Sequence, residues 1–375
     1  MSHLDPKIVL FWLSLGLVFY PYVIYPFVLL FLRVFIHRPL RKAPLEPTVS
    51  ILVPAYNEAD VIEAKIRNFS ALDYPQEKLE LVIASDGSTD STAAIAQRLS
   101  DATRIRTFAY EHNRGKIAVI NETIPRVRGE ICVFSDASAA LERHALRHLV
   151  ANFADPSVGA VSGTYRVLNP SEARLGKPED IYWKYETFLK RQESALGCVV
   201  GGHGQILAVR TSLYPFPTPD IINDDYVIPL MISKRGYRVV YEPEAAAGEE
   251  AREMGGFQRR IRVMAGNIQQ MREIKELVWR PQWQLFYFVS HKIMRLAVPF
   301  ALASLAIFNL LLLSRPLYRQ LAIVQLCFYG IALLGTWRRL RPRILRIPYY
   351  FCMINAAVFV AVYHMLLERR KPAWK

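Results

Sequence analysis

The chain has 375 residues, a formal charge of +14 and a pI near 9.6, with 52% hydrophobic residues. That length exceeds what one core usually organises, roughly 250 to 300 residues, so a second body beside one sizeable domain is expected. Apolar residues crowd the two ends while the centre has ordinary soluble composition, which excludes a wholly soluble chain. The basic residues flank the apolar stretches, so nucleic acid is not an expected partner.

In chain order, residues 8–36 form a stretch uncharged until Arg33, too long for a signal-peptide core and without a small-residue cleavage site. This predicts a retained transmembrane anchor within residues 1–40. Residues 48–275 alternate short β-branched runs with helical stretches, the pattern of an α/β domain with a mostly parallel sheet covered by helices. Strands are expected at 48–53, 79–84, 105–108, 130–135, 158–167 and 237–241, and helices at 58–69, 89–99, 116–127, 182–194, 223–234 and from 257. Pro54, Asp86 and Asp136 then fall at the carboxyl ends of strands, where open α/β sheets bind ligands.

Residues 279–295 mix Trp283, Phe286, Tyr287 and Phe288 with His291, Lys292 and Arg295, as a helix lying in the membrane interface does. Three further spans are expected within 296–367, at 296–313, 317–337 and 347–367, followed by a basic tail at 368–375. Arg38, Arg41 and Lys42, the arginines of 338–346, and Arg369, Arg370 and Lys371 border these spans. They predict attraction to anionic membrane lipid and a cytoplasmic central domain at the inner membrane. Two of these clusters lie at opposite ends of 347–367, so one is outside or that segment does not cross. Cys132, Cys198, Cys327 and Cys352 show no paired spacing, and are read as packing residues in a reducing compartment.

The chemistry sits in short motifs. Pro54 closes the first strand, and Tyr56, one residue before Asn57-Glu58, can stack on a base. Asp86 opens Asp86-Gly87-Ser88-Thr89-Asp90, which taken alone is also ordinary turn and helix-capping chemistry. Taken in order and spacing with Ser50 to Glu58, the run resembles the nucleotide-binding motifs of family 2 glycosyltransferases, particularly the bacterial exopolysaccharide and poly-N-acetylglucosamine synthase-like members. The resemblance covers about residues 48–263. It implies a glycosyltransferase A-type nucleotide-binding sheet and a nucleotide-sugar donor, with Pro54, Tyr56, Glu58 and Asp86 on the donor side.

It further implies that Lys116, at a helix start, faces the diphosphate, in keeping with anion binding at helix N-termini. Phe134-Ser135-Asp136-Ala137-Ser138 aligns with the family's metal motif, but Ser138 replaces its second acid. One carboxylate, one hydroxyl and substrate oxygens are left for a divalent cation, Mg2+ or Mn2+. Asn223-Asp224-Asp225 takes the place of the motif that supplies the base, so Asp225 inherits proton abstraction from the acceptor, with Asp224 positioning it. Two acids at a helix N-terminus are also favoured by the helix dipole alone. Arg259, Arg260 and Arg262 resemble the diphosphate-bracing motif of processive members, with Arg259 in place of its Gln and Val263 in place of its Trp, which favours single addition over polymer synthesis. His203 falls where the family contacts acceptor, with Trp183 and Tyr185 as weaker candidates.

The expected partners are a nucleotide-sugar donor, most simply uridine-linked, a lipid-linked or glycan acceptor, membrane lipid and polysaccharide-assembly proteins. The alternatives are a polyprenyl-phosphate acceptor, which needs no base, a processive synthase, and a nucleotide-sensing membrane transporter. The last is disfavoured because none of the spans carries the acidic residues that mark transport paths.

Overall fold

The computed structural model describes residues 5–101, 103–168, 176–250, 257–271, 283–336 and 346–367. At the N-terminus α1 (Pro6–Phe19) continues through a π turn at Tyr20–Ile24 into α2 (Tyr25–Phe35). Pro21 and Pro26 have no N–H to give to the helix ladder, and the wider turn absorbs the missing bonds. The result is one apolar helix, Pro6–Phe35, long enough to cross a membrane.

The chain then builds β1 (Val49–Ala55), α3 (Ala59–Ser70), β2 (Leu79–Asp86), α4 (Thr92–Arg98), β3 (Ile105–Tyr110), α5 (Lys116–Thr123) and β4 (Ile131–Phe134). It goes on through β5 (Ala140–Leu141), α6 (Ala145–Ala151), β6 (Val158–Leu168), α7 (Gly176–Ala195), β7 (Leu207–Arg210), α8 (Asp224–Lys234), β8 (Arg238–Glu250) and α9 (Phe257–Gln270). Among the described residues eight strands form one sheet in the order β3-β2-β1-β4-β7-β6-β8-β5. The first half is parallel, as expected. β7 runs antiparallel to both β4 and β6, and β5 antiparallel to β8, so the sheet is mixed. The sequence reading missed β7, β5 and α6, each too short to show a period.

Both faces of the central strands are covered, which is why every residue of β1 and β2 is buried and most are apolar. Ile51, Val53, Leu81, Ile83 and Val133 pack on one side with Ile62, Ile66 and Phe69 of α3. Leu52, Val82, Ala84 and Phe134 pack on the other with Ile120 of α5 and Ile228 and Ile232 of α8. The strand order reverses between β1 and β4, and the loops after β1, β2, β3 and β4 all open at that edge.

Two units of contact divide the chain: Arg33–Asn169 with Trp183–Arg252, which holds the sheet, and Met1–Leu32 with Pro170–Tyr182 and Glu253–Arg370. α9, expected inside the 48–275 domain, belongs to the second unit and packs on α13 (Arg346–Leu367). In the same unit α10 (Trp283–Phe288), a π turn at Val289–Ile293 and α11 (Met294–Leu311) run as one helix, followed by α12 (Pro316–Leu334). The separate helix expected over 279–295 is therefore the first part of a 29-residue apolar helix, Trp283–Leu311. No Gly or Pro interrupts 283–298, so the helix propagates. His291 is fully buried there, and Arg295 lies over the Tyr22 ring at 5.7 Å.

Among the described residues four helices are long and apolar enough to cross a membrane. Their contacts combine an apolar cluster of Phe11, Leu305, Leu312 and Tyr318 with ring edges and small polar pairs, such as Phe11 on Tyr318 at 4.9 Å and Ser14 Oγ to Ser304 Oγ at 2.8 Å. Leu13, Phe27, Phe31, Leu326 and Leu333 are left exposed, as lipid-facing side chains are. The basic cluster of 337–345 and the tail at 368–375 lie outside the described residues.

Gly87, directly after β2, has φ +65°, and a Cβ there would stand 2.4 Å from the backbone nitrogen of Asn113. Gly87→Ala therefore has to push the 112–113 backbone away from the end of β2. The expected loss is about 1–3 kcal/mol of stability, with weaker nucleotide binding. Denaturation and nucleotide titration of purified protein check it, and an unchanged midpoint would contradict this packing.

Candidate active site

The loops after β1 and β2 hold each other. Asn57, at φ +55°, accepts the Thr89 N–H at 2.8 Å on its side-chain oxygen, and the Glu58 N–H donates to Thr92 Oγ1 at 2.8 Å. Pro54 is buried in register with Ala84, while Tyr56 and Glu58 are half-buried just beyond the strand.

Asp86 is fully buried. Burial pushes its carboxyl above the usual range, against the pull of the Arg114 and Gly115 N–H groups, which donate to it at 3.0 and 2.8 Å. Asp86 thus braces the turn that launches α5, whose first residue is Lys116.

Lys116 is the hub of the site. Its ammonium lies 2.9 Å from Asp136 Oδ1 and 3.0 Å from Asp224 Oδ2, joining the end of β4 to the start of α8. Burial alone would depress this ammonium; the carboxylates of Asp136 and Asp224 outweigh it and hold it above its ordinary value. Across Gly204 the group closes up. A Cβ there would stand 3.6 Å from Lys116 Nζ, 3.8 Å from Asp225 Cβ and 3.9 Å from Asp136 Oδ2. Four of the residues singled out from the sequence, Lys116, Asp136, Asp224 and Asp225, therefore meet at one point.

Pro229 explains how Asp225 is held. In a regular helix the N–H of residue 229 would bond the Asp225 carbonyl, and proline has none. The Gly202 N–H takes that carbonyl instead, at 2.7 Å. Glycine is needed at the neighbouring position, because a Cβ on Gly201 would sit 2.4 Å from the Tyr226 ring. His203, 3% exposed, stands among Tyr165, Trp183 and Tyr241. Lys190, on α7, donates to the Gly202 carbonyl at 2.8 Å and lies 3.1 Å from His203 Nε2. Burial pulls the Lys190 ammonium down, against the carboxylates of Glu186, Asp225 and Glu193. In this placement His203 fixes the glycine turn that carries Asp225.

Sequence reasoning missed three residues. Lys65 is buried behind Asp136, donating to Ser135 Oγ at 2.6 Å and to the Ala139 carbonyl at 2.5 Å. Burial pulls it down to about 7, against Asp136 and Glu249. Glu249, on β8, accepts from Ser138 Oγ at 2.6 Å and from the Tyr165 hydroxyl at 3.3 Å. Lys190 is the third. A signal existed for Lys65: it shares the spacing of Ile62, Ile66 and Phe69 on the core face of α3. Glu249 follows Ala245 and Ala247 at the strand period, a weaker sign.

Of the basic motif on α9, Arg260 is buried with its guanidinium 5.3 Å from the Tyr350 ring centre, inside the unit of apolar helices. Arg262 is half-buried on the same helix, and the Arg259 side chain lies outside the description.

Among the described residues no group of three His, Cys, Asp or Glu side chains could hold a metal alone. Asp136 is a third exposed. A hard cation that keeps its waters and takes one carboxylate plus phosphate oxygens fits such a place; a cation caged by protein alone does not.

A mixed sheet of this order, with a cation and acids gathered at its switch point, is the fold of a glycosyltransferase. Over 97% of this chain and 100% of the other, it superimposes with a TM-score of 0.77, at 23% identity, on the mannosyltransferase PcManGT from Pyrobaculum calidifontis, solved with GDP-Man and Mn2+. Residues 50–213 match the model of Glycosyl transferase family 2. The poly-beta-1,6-N-acetyl-D-glucosamine synthase of Staphylococcus aureus (strain MSSA476) is 31% identical over 202 residues, 52% of this chain and 48% of that protein. The synthase of the same name from Staphylococcus epidermidis is 28% identical over the same length. The chain thus spans about half the length of the curated relatives it matches.

Because Lys116 bridges Asp136 and Asp224, the variants Lys116→Met and Asp136→Asn should not add. Each alone is expected to destabilise, and the double variant to lose less than the sum, with a coupling of about 1 kcal/mol or more. A double-mutant denaturation cycle reads this directly, and strict additivity would deny the bridge.

Proposed function

We propose that the chain is a membrane-bound inverting glycosyltransferase. It moves one sugar at a time from a nucleotide sugar, most simply a uridine-linked one, to a lipid-linked or glycan acceptor in surface or exopolysaccharide assembly. The convergence of Lys116, Asp136, Asp224 and Asp225 across Gly204 is the observation that carries this reading. The apolar helices hold the enzyme at the bilayer where a lipid-linked acceptor lies, with the sheet on the cytoplasmic side of the inner membrane.

In this reading Tyr56 stacks on the base, while Pro54 and Glu58 shape the donor loop that Asp86 and Gly87 support. Lys116 turns its ammonium from the carboxylates to the departing diphosphate. Asp136 would hold a divalent cation, Mg2+ or Mn2+, which supplies charge stabilisation to the leaving diphosphate when bound. Asp225 takes the proton of the acceptor hydroxyl as that oxygen attacks the anomeric carbon and the nucleoside diphosphate departs on the opposite face. Asp224, through Lys116, and the Gly202 N–H keep Asp225 in place. Val263, where processive members have Trp, supports single addition.

Asp225→Asn should lower kcat by roughly 10²- to 10⁴-fold with little change in donor affinity, the usual worth of a general base. Donor turnover with a panel of hydroxyl acceptors and a polyprenyl phosphate measures it. Undiminished turnover on the phosphate would replace the hydroxyl acceptor with that lipid, whose oxygen needs no base.

A further inference from the structure

The metal motif lacks its second acid, and the fold brings another acid to that place. Ser138 lies two residues before β5, and β5 pairs with β8 so that Ala140 stands opposite Gly248. That register sets the end of β8 beside the motif loop. Glu249, 7% exposed, is the residue that arrives there, from beyond the stretch that matches the family model. Ser138 Oγ donates to its Oε1 at 2.6 Å, and the Tyr165 hydroxyl donates to its Oε2 at 3.3 Å. A serine hydroxyl has one proton. With that proton given to Glu249, the Ser138 oxygen faces any other partner only as an acceptor, and the carboxylate behind it makes that oxygen more basic.

We propose that Ser138 and Glu249 together replace the missing acid: Ser138 ligates the divalent cation beside Asp136, and Glu249 is a positioning residue that orients and polarises it. The inference rests on the cation reading given under Proposed function. A different role for Glu249 would be to balance the buried Lys65. Lys65, however, directs its ammonium at Ser135 Oγ and the Ala139 carbonyl, whereas both Glu249 oxygens are taken by hydroxyls.

The test is Mn2+ binding to full-length purified protein, read by calorimetry or by the Mn2+ paramagnetic signal, with UDP or GDP present. Wild type should bind Mn2+ in the presence of one of these nucleotides, and Asp136→Asn should abolish it. Glu249→Gln and Ser138→Ala should each weaken Mn2+ by roughly 10- to 100-fold, the usual effect of losing an outer-shell partner, while metal-free nucleotide affinity stays unchanged. The double variant Ser138→Asp with Glu249→Gln should regain Mn2+ binding, since an acid at 138 no longer needs Glu249. Wild-type Mn2+ affinity in Glu249→Gln, with or without a lower melting temperature, would reduce Glu249 to a structural counter-charge and overturn the proposal while the Asp136 reading stands. A loss in Glu249→Gln without one in Ser138→Ala would overturn the route through serine. No Mn2+ binding by wild type with either nucleotide would remove the cation reading, and this inference with it.

Discussion

One ammonium holds the site together. Asp136 follows β4 by two residues and Asp224 starts a helix 88 positions later, and two carboxylates brought to one ammonium would repel without Lys116 between them. Partial burial strengthens the interaction by lowering the local dielectric, and the same burial would cost stability if the ammonium were absent. The bracing of Lys116 therefore reaches far back into the fold. Asp86 fixes the 114–115 backbone, and Gly87 allows that backbone to lie against the end of β2.

A second constraint is the backbone of α8. Proline inside a helix usually weakens it, yet Pro229 here releases the Asp225 carbonyl to the Gly202 N–H. The broken ladder becomes a tie between the glycine turn and the residue proposed as base. Lys190 and His203 make the turn stiff from below, inside a box of aromatic rings. Cations recur around this site: nearby acids outweigh burial at Lys116, while burial prevails over the nearby acids at Lys65 and Lys190.

The apolar helices obey different rules. In a bilayer, water does not drive helix association, so van der Waals packing, ring edges and hydroxyl pairs join them, and many large apolar residues remain on the outside. Arg260 and His291 lie buried within this unit, beside the rings of Tyr350 and Tyr25.

What the sequence determined by itself was whatever is written in local periods and short motifs. The parallel strands, their helices and the four apolar segments follow from periods of two and 3.6 and from length, and the order of Pro54, Asp86, Lys116, Asp136 and Asp225 pointed to the carboxyl edge of the sheet. Short elements such as β7 and β5 span too few residues to carry a period, and they became visible only through pairing. The partnership of Lys116 with Asp224, of Gly202 with Asp225, and of Ser138 with Glu249 was decided by the tertiary structure alone. Each joins residues from different elements, and no local spacing records which strand end comes to lie beside which loop. The absence of a second acid at 138 could be read from the chain; the presence of Glu249 beside it depended on the register of β5 against β8.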